Sequence, residues 1–280
     1  MPTYARLYTD PACVWSWATE PQRRRLEWEF GDAIEFQRVM GGMARTIEEA
    51  DRAGLIVEWL EVSAETGMPT DPLVWAQNPL SSSYPACQAV KAAAEQGSDA
   101  AMRYLRRLRE GILLGRRRLD HAEALVAEAA PAGIDRERFE IDLRSHAIVE
   151  AFGNDLEEVR DPPAEAREAG QVRPAVGDRE RVGFPSVAFV GEGGERAAVY
   201  GPSDYETLRS AAIAAGAEPA EERPPGPLEA IARFGRLATR ELEELTARPR
   251  PVLEAELWAL AREWRLKPET FAFGVLWQAA

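Results

Sequence analysis

Two cysteines stand among the 280 residues, Cys13 and Cys87, and their settings differ. Cys13 lies in "DPACVWSW", directly after "TYARLYT", a run of β-branched and aromatic residues that reads as a short buried strand. Asp10 and Pro11 break that strand. Helical spacing then runs from about Cys13 to Phe30, with Trp15, Ala18, Leu26 and Phe30 as apolar positions and Gly31 and Asp32 as the stop. A sulfur at the start of a helix meets unpaired N–H groups and the positive end of the helix dipole, which favour thiolate over thiol. Ser16 stands three residues on, where a second cysteine would make a dithiol. Its hydroxyl, one turn along, can donate a hydrogen bond to the sulfur but cannot close a disulfide. A Cys13 thiolate would therefore attack a disulfide to give a mixed disulfide that an external thiol, or Cys87, must resolve. Trp15 and Trp17 would supply apolar walls for a partner peptide. The competing reading of Cys13 is a small apolar residue in a turn.

Cys87 opens a helix in "SSSYPACQAVKAAAEQG" and reads as a buried helix cysteine; pairing with Cys13 would need Cα atoms within ~7 Å. His121 and His146 lack ligand spacing and read as surface and structural residues, so neither a metal nor a cofactor is expected. The basic run "RRLREGILLGRRR", residues 106–118, reads as a salt-bridged helix face in a chain of net charge −13. That charge argues against nucleic acid and anionic membrane surfaces as partners. No apolar run approaches the ~18 residues of a membrane span, and "MPTYARLYTD" lacks a secretory pattern, so a cytoplasmic location is expected. In that reducing compartment a structural disulfide is not expected.

The elements that must hold Cys13 follow from periodicity. "AIEFQRVM" alternates and reads as a second strand, giving a strand–helix–strand crossover in residues 1–40. Residues 41–179 show a succession of capped amphipathic helices, five or six of them, ending in a polar stretch. Serines cap "SSSYPACQAV" and "SDAAMRYLRRLRE". "FPSVAFVG" and "RAAVYG", separated by "EGGE", read as a hairpin, and "SDYETLRSAAIAAG" as a capped helix, within 180–216. Residues 217–227 are a Pro-rich linker. Residues 228–280 show helical periodicity through both "PLEAIARFGRLATRELEEL" and "PVLEAELWALAREWRLKPETFAFGVLW".

Together, "DPACVWSW", a helical insertion, "GFPSVAFV" before a hairpin and "YGPSDYETL" before the last helix resemble the DsbA family of the thioredoxin superfamily, over residues 3–216. The resemblance is nearest to the FrnE-like cytoplasmic branch. It implies an α/β thioredoxin-like sheet with a large helical insertion, domain 1–216. It implies Cys13 as the nucleophile, with Ser16 departing from Cys-x-x-Cys, and Pro185, preceded by Phe184, as a cis-proline facing it. The substrate groove would be formed by Trp15, Trp17, Phe184 and Pro185. The implied activity is thiol–disulfide exchange or isomerisation on a protein or low-molecular-weight thiol. The C-terminal segment looks like a small helical or winged-helix-like domain, but residues 217–280 carry 11 acidic and 9 basic side chains, a poor match to a duplex. The same architecture resembles the SpxH-type adaptors, which implies an alternative: a non-catalytic protein that binds a partner through the aromatic groove.

Overall fold

The computed structural model describes residues 2–220 and 223–280. Strand β1 (Thr3–Thr9), helices α1 (Val14–Ala18) and α2 (Glu20–Phe30), and strand β2 (Ile34–Met40) form the first crossover. The single helix expected over 13–30 is broken at Thr19, because Pro21 enters the first turn of α2. Its ring cannot continue a helix whose previous turn is already laid down.

The insertion comprises α3 (Arg52–Thr66), α4 (Val74–Gln77), α5 (Tyr84–Ala94), α6 (Ser98–Arg109), α7 (Ala122–Ala127), α8 (Arg136–Leu143), α9 (His146–Val159) and α10 (Ala164–Glu168). Among the described residues that is two or three more than the five or six expected, the surplus being single turns such as α4 and α10. The polar stretch that follows is a small antiparallel hairpin, β3 (Val172–Pro174) with β4 (Glu180–Val182). The core then resumes with β5 (Ser186–Val190), β6 (Arg196–Tyr200) and α11 (Tyr205–Ala214), the last capped by the Asp204 carboxylate on the Thr207 amide. The sheet order is β2-β1-β5-β6, with β1 parallel to β2 and the other pairs antiparallel.

Two expected serine caps are diverted. The Ser83 hydroxyl donates to Asp10 Oδ2, while Ser82 Oγ accepts the Tyr84 amide. Ser98 lies inside α6 and donates to the Phe36 carbonyl of β2. The basic run pairs as expected of a salt-bridged face: Arg107 and Arg117 meet Glu128, Arg116 meets Asp71, and Arg118 meets Asp120.

The C-terminal unit runs α12 (Pro227–Phe234), β7 (Leu237–Ala238), α13 (Thr239–Thr246), α14 (Arg250–Arg262), β8 (Leu266–Phe271) and β9 (Gly274–Ala279), with sheet order β7-β9-β8. Helical periodicity thus ends at Arg262, and "LKPETFAFGVLWQA" is a hairpin, with Pro268 placed on the edge strand β8 where a missing N–H is tolerated. Within the expected linker, the Ala220 amide donates to the Glu29 carbonyl and the Trp28 indole donates to the Arg223 carbonyl; Glu221 and Glu222 lie outside the described residues.

The C-terminal unit is joined to the rest by charge. Glu241 of α13, fully buried, accepts from both terminal nitrogens of Arg106 at 2.7 and 2.9 Å. Glu20 of α2, also buried, takes Arg109 and Arg23, with Arg24 and Arg106 within 4 Å. Arg25 adds a 2.9 Å pair to Glu244.

Candidate functional site

The register of the sheet builds the site. Ser186 lies opposite Tyr8, so Pro185 sits just beyond the end of β1, beside the turn that carries Cys13. Cys13 is the N-cap residue of α1 in an extended conformation, and its sulfur accepts the Ser16 amide at 3.4 Å. On the other side the Cys13 Sγ lies 3.8 Å from the Phe184 carbonyl oxygen. The Phe184–Pro185 bond is cis. The structure thus brings Cys13, Ser16, Phe184 and Pro185 together.

What it does not provide is access. Cys13 is 5% exposed and packs with Val39, Val159 and Phe184. The expectation of a favoured thiolate is overturned here: burial pushes the Cys13 thiol above its ordinary value, and the opposing pull of Ser16 does not offset it. Asp10 nearby pushes the same way, and Arg181 against it. The Ser16 amide donates to the sulfur, and the buried Ser16 hydroxyl beside it also pulls the pKa down.

Trp17, expected on the groove, is fully buried; its indole donates to the Pro69 carbonyl at 2.8 Å and the Arg106 guanidinium lies 4.4 Å from its ring centre. Tryptophans two apart on a helix point in different directions, and α1 turns Trp17 into the core while Trp15 remains half-buried. Cys87 is buried and free, as is Cys13. Its thiol donates to Asp10 Oδ2 at 3.3 Å, and burial, with Asp10 adding, raises it well above the ordinary value.

Three positions at this site escaped the sequence reading. Asp10, read only as a strand breaker, is buried; its Oδ1 accepts the Ala12 amide, and its Oδ2 accepts from Met43 N, Ser83 Oγ and Cys87 Sγ. It ties the cysteine turn to the insertion through neutral donors. Gly41 lies against the Phe184 ring, where an added Cβ would fall 1.8 Å from Cζ. The paired glycines after β2 were the available signal. Arg181, on the unexpected hairpin, stacks 4.3 Å from the centre of the Phe184 ring and donates to the Val182 carbonyl. Burial lowers its pKa, and nothing in "DRERVGFP" distinguished it from a surface arginine.

The thioredoxin family model matches residues 6–161, more than half of the chain. The chain belongs to the thioredoxin family. Its fold is similar to that of a putative protein disulfide isomerase from Nitrosomonas europaea, which superposes with a TM-score of 0.62 at 18% identity, covering 75% of this chain and 95% of that one. The cytosolic disulfide reductase DsbM from Pseudomonas aeruginosa superposes at 0.55, also at 18% identity, covering 75% and 92%. By sequence the chain is similar to the ClpXP adapter protein SpxH of Halalkalibacterium halodurans, 30% identical over 55% of this chain and 53% of that protein. It therefore spans about half the length of the first curated relatives it matches. A weaker match, 24% identical, to SpxH of Shouchella clausii extends over 97% of this chain and 86% of that protein. Among the described residues no helix is long and apolar enough to cross a membrane.

Proposed function

We propose that this thioredoxin-family chain is a protein-binding adaptor that presents a partner to a ClpXP-type protease. The observation that carries the reading is the state of Cys13: a buried thiol with a raised pKa, a serine in the resolving position, and Cys87 held by Asp10 instead of by Cys13. A raised pKa lowers the fraction of thiolate, the species that attacks disulfides. The scaffold is kept while its chemistry is weakened, as binding without turnover requires. The near full-length similarity to an adapter protein, C-terminal unit included, supports the same reading. A cytoplasmic setting, where the protease and reduced thiols coexist, follows from it.

A second reading rests on a different observation. The Ser16 amide and the Phe184 carbonyl flank the sulfur as they would flank a nucleophile and its substrate peptide. If the turn opened, the Cys13 thiolate would bond to one substrate sulfur and expel the other as thiolate. An external thiol would then displace Cys13. Ser16 and Cys13 would be the catalytic residues, with Trp15, Phe184 and Pro185 binding the peptide.

The two readings separate in one set of experiments. In the adaptor case, the chain accelerates degradation of its partner in a reconstituted ClpXP assay, and Cys13→Ala does so equally. Loss of acceleration in Cys13→Ala, with a mixed disulfide recoverable from the parent chain, would overturn that in favour of exchange chemistry.

A further inference from the structure

A cleft of about 920 Å³ opens where the sheet edge, the insertion and the C-terminal unit meet. In a chain of net charge −13, seven arginines line it. Four of them, Arg24, Arg106, Arg107 and Arg236, are taken up by carboxylates. The other three have no carboxylate within 4 Å among the described residues, and each is oriented by carbonyl oxygens. Arg38 of β2 donates to the Ser98 carbonyl at 2.8 Å and to its hydroxyl at 3.0 Å. Arg103 of α6 donates to the carbonyls of Ala132 and Gly133 at 3.1 and 3.3 Å. Arg233 of α12 donates to the Glu27 carbonyl at 2.8 Å and lies 5.1 Å from the centre of the Trp28 ring. A guanidinium has five donors in a fixed fork, so each of these retains donors beyond the carbonyls that aim it. Arg38 is the most desolvated: its Nε has no partner, and burial, with repulsion from Arg23, lowers its pKa to about 10.

We infer that this cleft binds an acidic segment of a partner polypeptide, with Arg38, Arg103 and Arg233 each receiving a carboxylate. The three cations are borne by three separate elements, an array suited to an extended chain instead of one compact anion. Carboxylates of the chain itself, Asp32, Glu35 and Asp99, also line the cleft, and Asp99 occupies the first turn of α6, which disfavours a phosphate at that helix end. A nucleic-acid strand, bound through roughly 6–10 phosphate contacts, would need more free cations than these three. Phe234 and Met102 add apolar contact for side chains between the acidic residues. The inference holds whichever reading of Cys13 is correct.

The test uses the full chain and a fluorescein-labelled glutamate-rich peptide of about ten residues, followed by anisotropy. Saturable one-to-one binding is expected. It should weaken about tenfold or more in the Arg103→Glu, Arg233→Glu double variant, whose altered side chains are exposed, and remain unchanged in Arg138→Glu outside the cleft. Arg38→Ala should weaken it separately, and parent-like thermal melts would show that the variants fold. Absence of saturable binding, or affinity unmoved by the double reversal, would overturn the inference. Displacement by inorganic phosphate at equal concentration would also overturn it, in favour of a compact-anion site.

Discussion

Cys13 shows how two opposing physical effects are decided by environment. Removal from water, which is nearly complete, pushes the thiol pKa up; the Ser16 hydroxyl and amide pull it down without offsetting that push. Iodoacetamide labelling of the native chain should therefore show Cys13 reacting only above the ordinary thiol value of 9.0. Labelling that reaches half its maximum near pH 7 would show that the turn opens and that the exchange reading holds. Gly41 is the companion position. Its Cβ would land on the Phe184 ring, so Gly41→Ala must displace the Phe184–Pro185 loop. A loss of about 1–3 kcal/mol in urea unfolding is expected, together with faster Cys13 labelling as its cover shifts. At this scale the sequence supplied residue types and spacing, which sufficed to select Cys13, Ser16 and Pro185. It could not supply burial, and so it set Trp17 on a surface and gave the sulfur the wrong pKa direction.

At the scale of elements, helices α2, α6 and α13 are locked by carboxylates that no single element could satisfy. Glu241 belongs to α13, its Arg106 partner to α6, and Glu20 to α2. Removing Glu241 takes the bidentate partner from the largely buried Arg106 and leaves it Glu110 at 2.8 Å and Glu20 at 3.7 Å, a loss of about 1–3 kcal/mol. Glu241→Ala should lower stability by that order in urea or thermal unfolding, and Glu241→Gln by less, since its amide oxygen still accepts from Arg106. A melt unchanged by Glu241→Ala would mean that the C-terminal unit is not held by this contact. The arginine-rich face of α6 was legible as salt-bridged, because a basic run in an acidic chain finds carboxylates. Its partners were not legible, being 86 residues before and 135 after Arg106. The β3–β4 hairpin was missed for a related reason: three-residue strands rich in charge carry no apolar alternation.

For the whole molecule, the ionic joint makes stability depend on acid. Burial alone would raise the Glu20 carboxyl, but Arg23, Arg109, Arg24 and Arg106 more than offset it and hold the group well below its usual range. With the folded pKa depressed, the stability this glutamate contributes is present above its unfolded value of 4.5 and is lost as pH falls below that. Thermal melts from pH 7 to pH 3 should show a decline that steepens below about pH 4.5, and Glu20→Gln should flatten it. A parallel decline in the variant would assign the acid sensitivity elsewhere. The cleft between the three units belongs to this scale too, since it exists only where they meet.

The sequence by itself determined the α/β crossover, the helical insertion, the returning hairpin and the lone sulfur at a helix start. Each of these is written in local signals of period, cap and turn. Only the tertiary structure decided that the sulfur is buried, that Asp10 binds Cys87, that Gly41 must lack a side chain, and that three arginines from three elements share one cleft. Solvent exclusion and long-range charge pairing arise from segments far apart in the chain, and no local window of residues contains them.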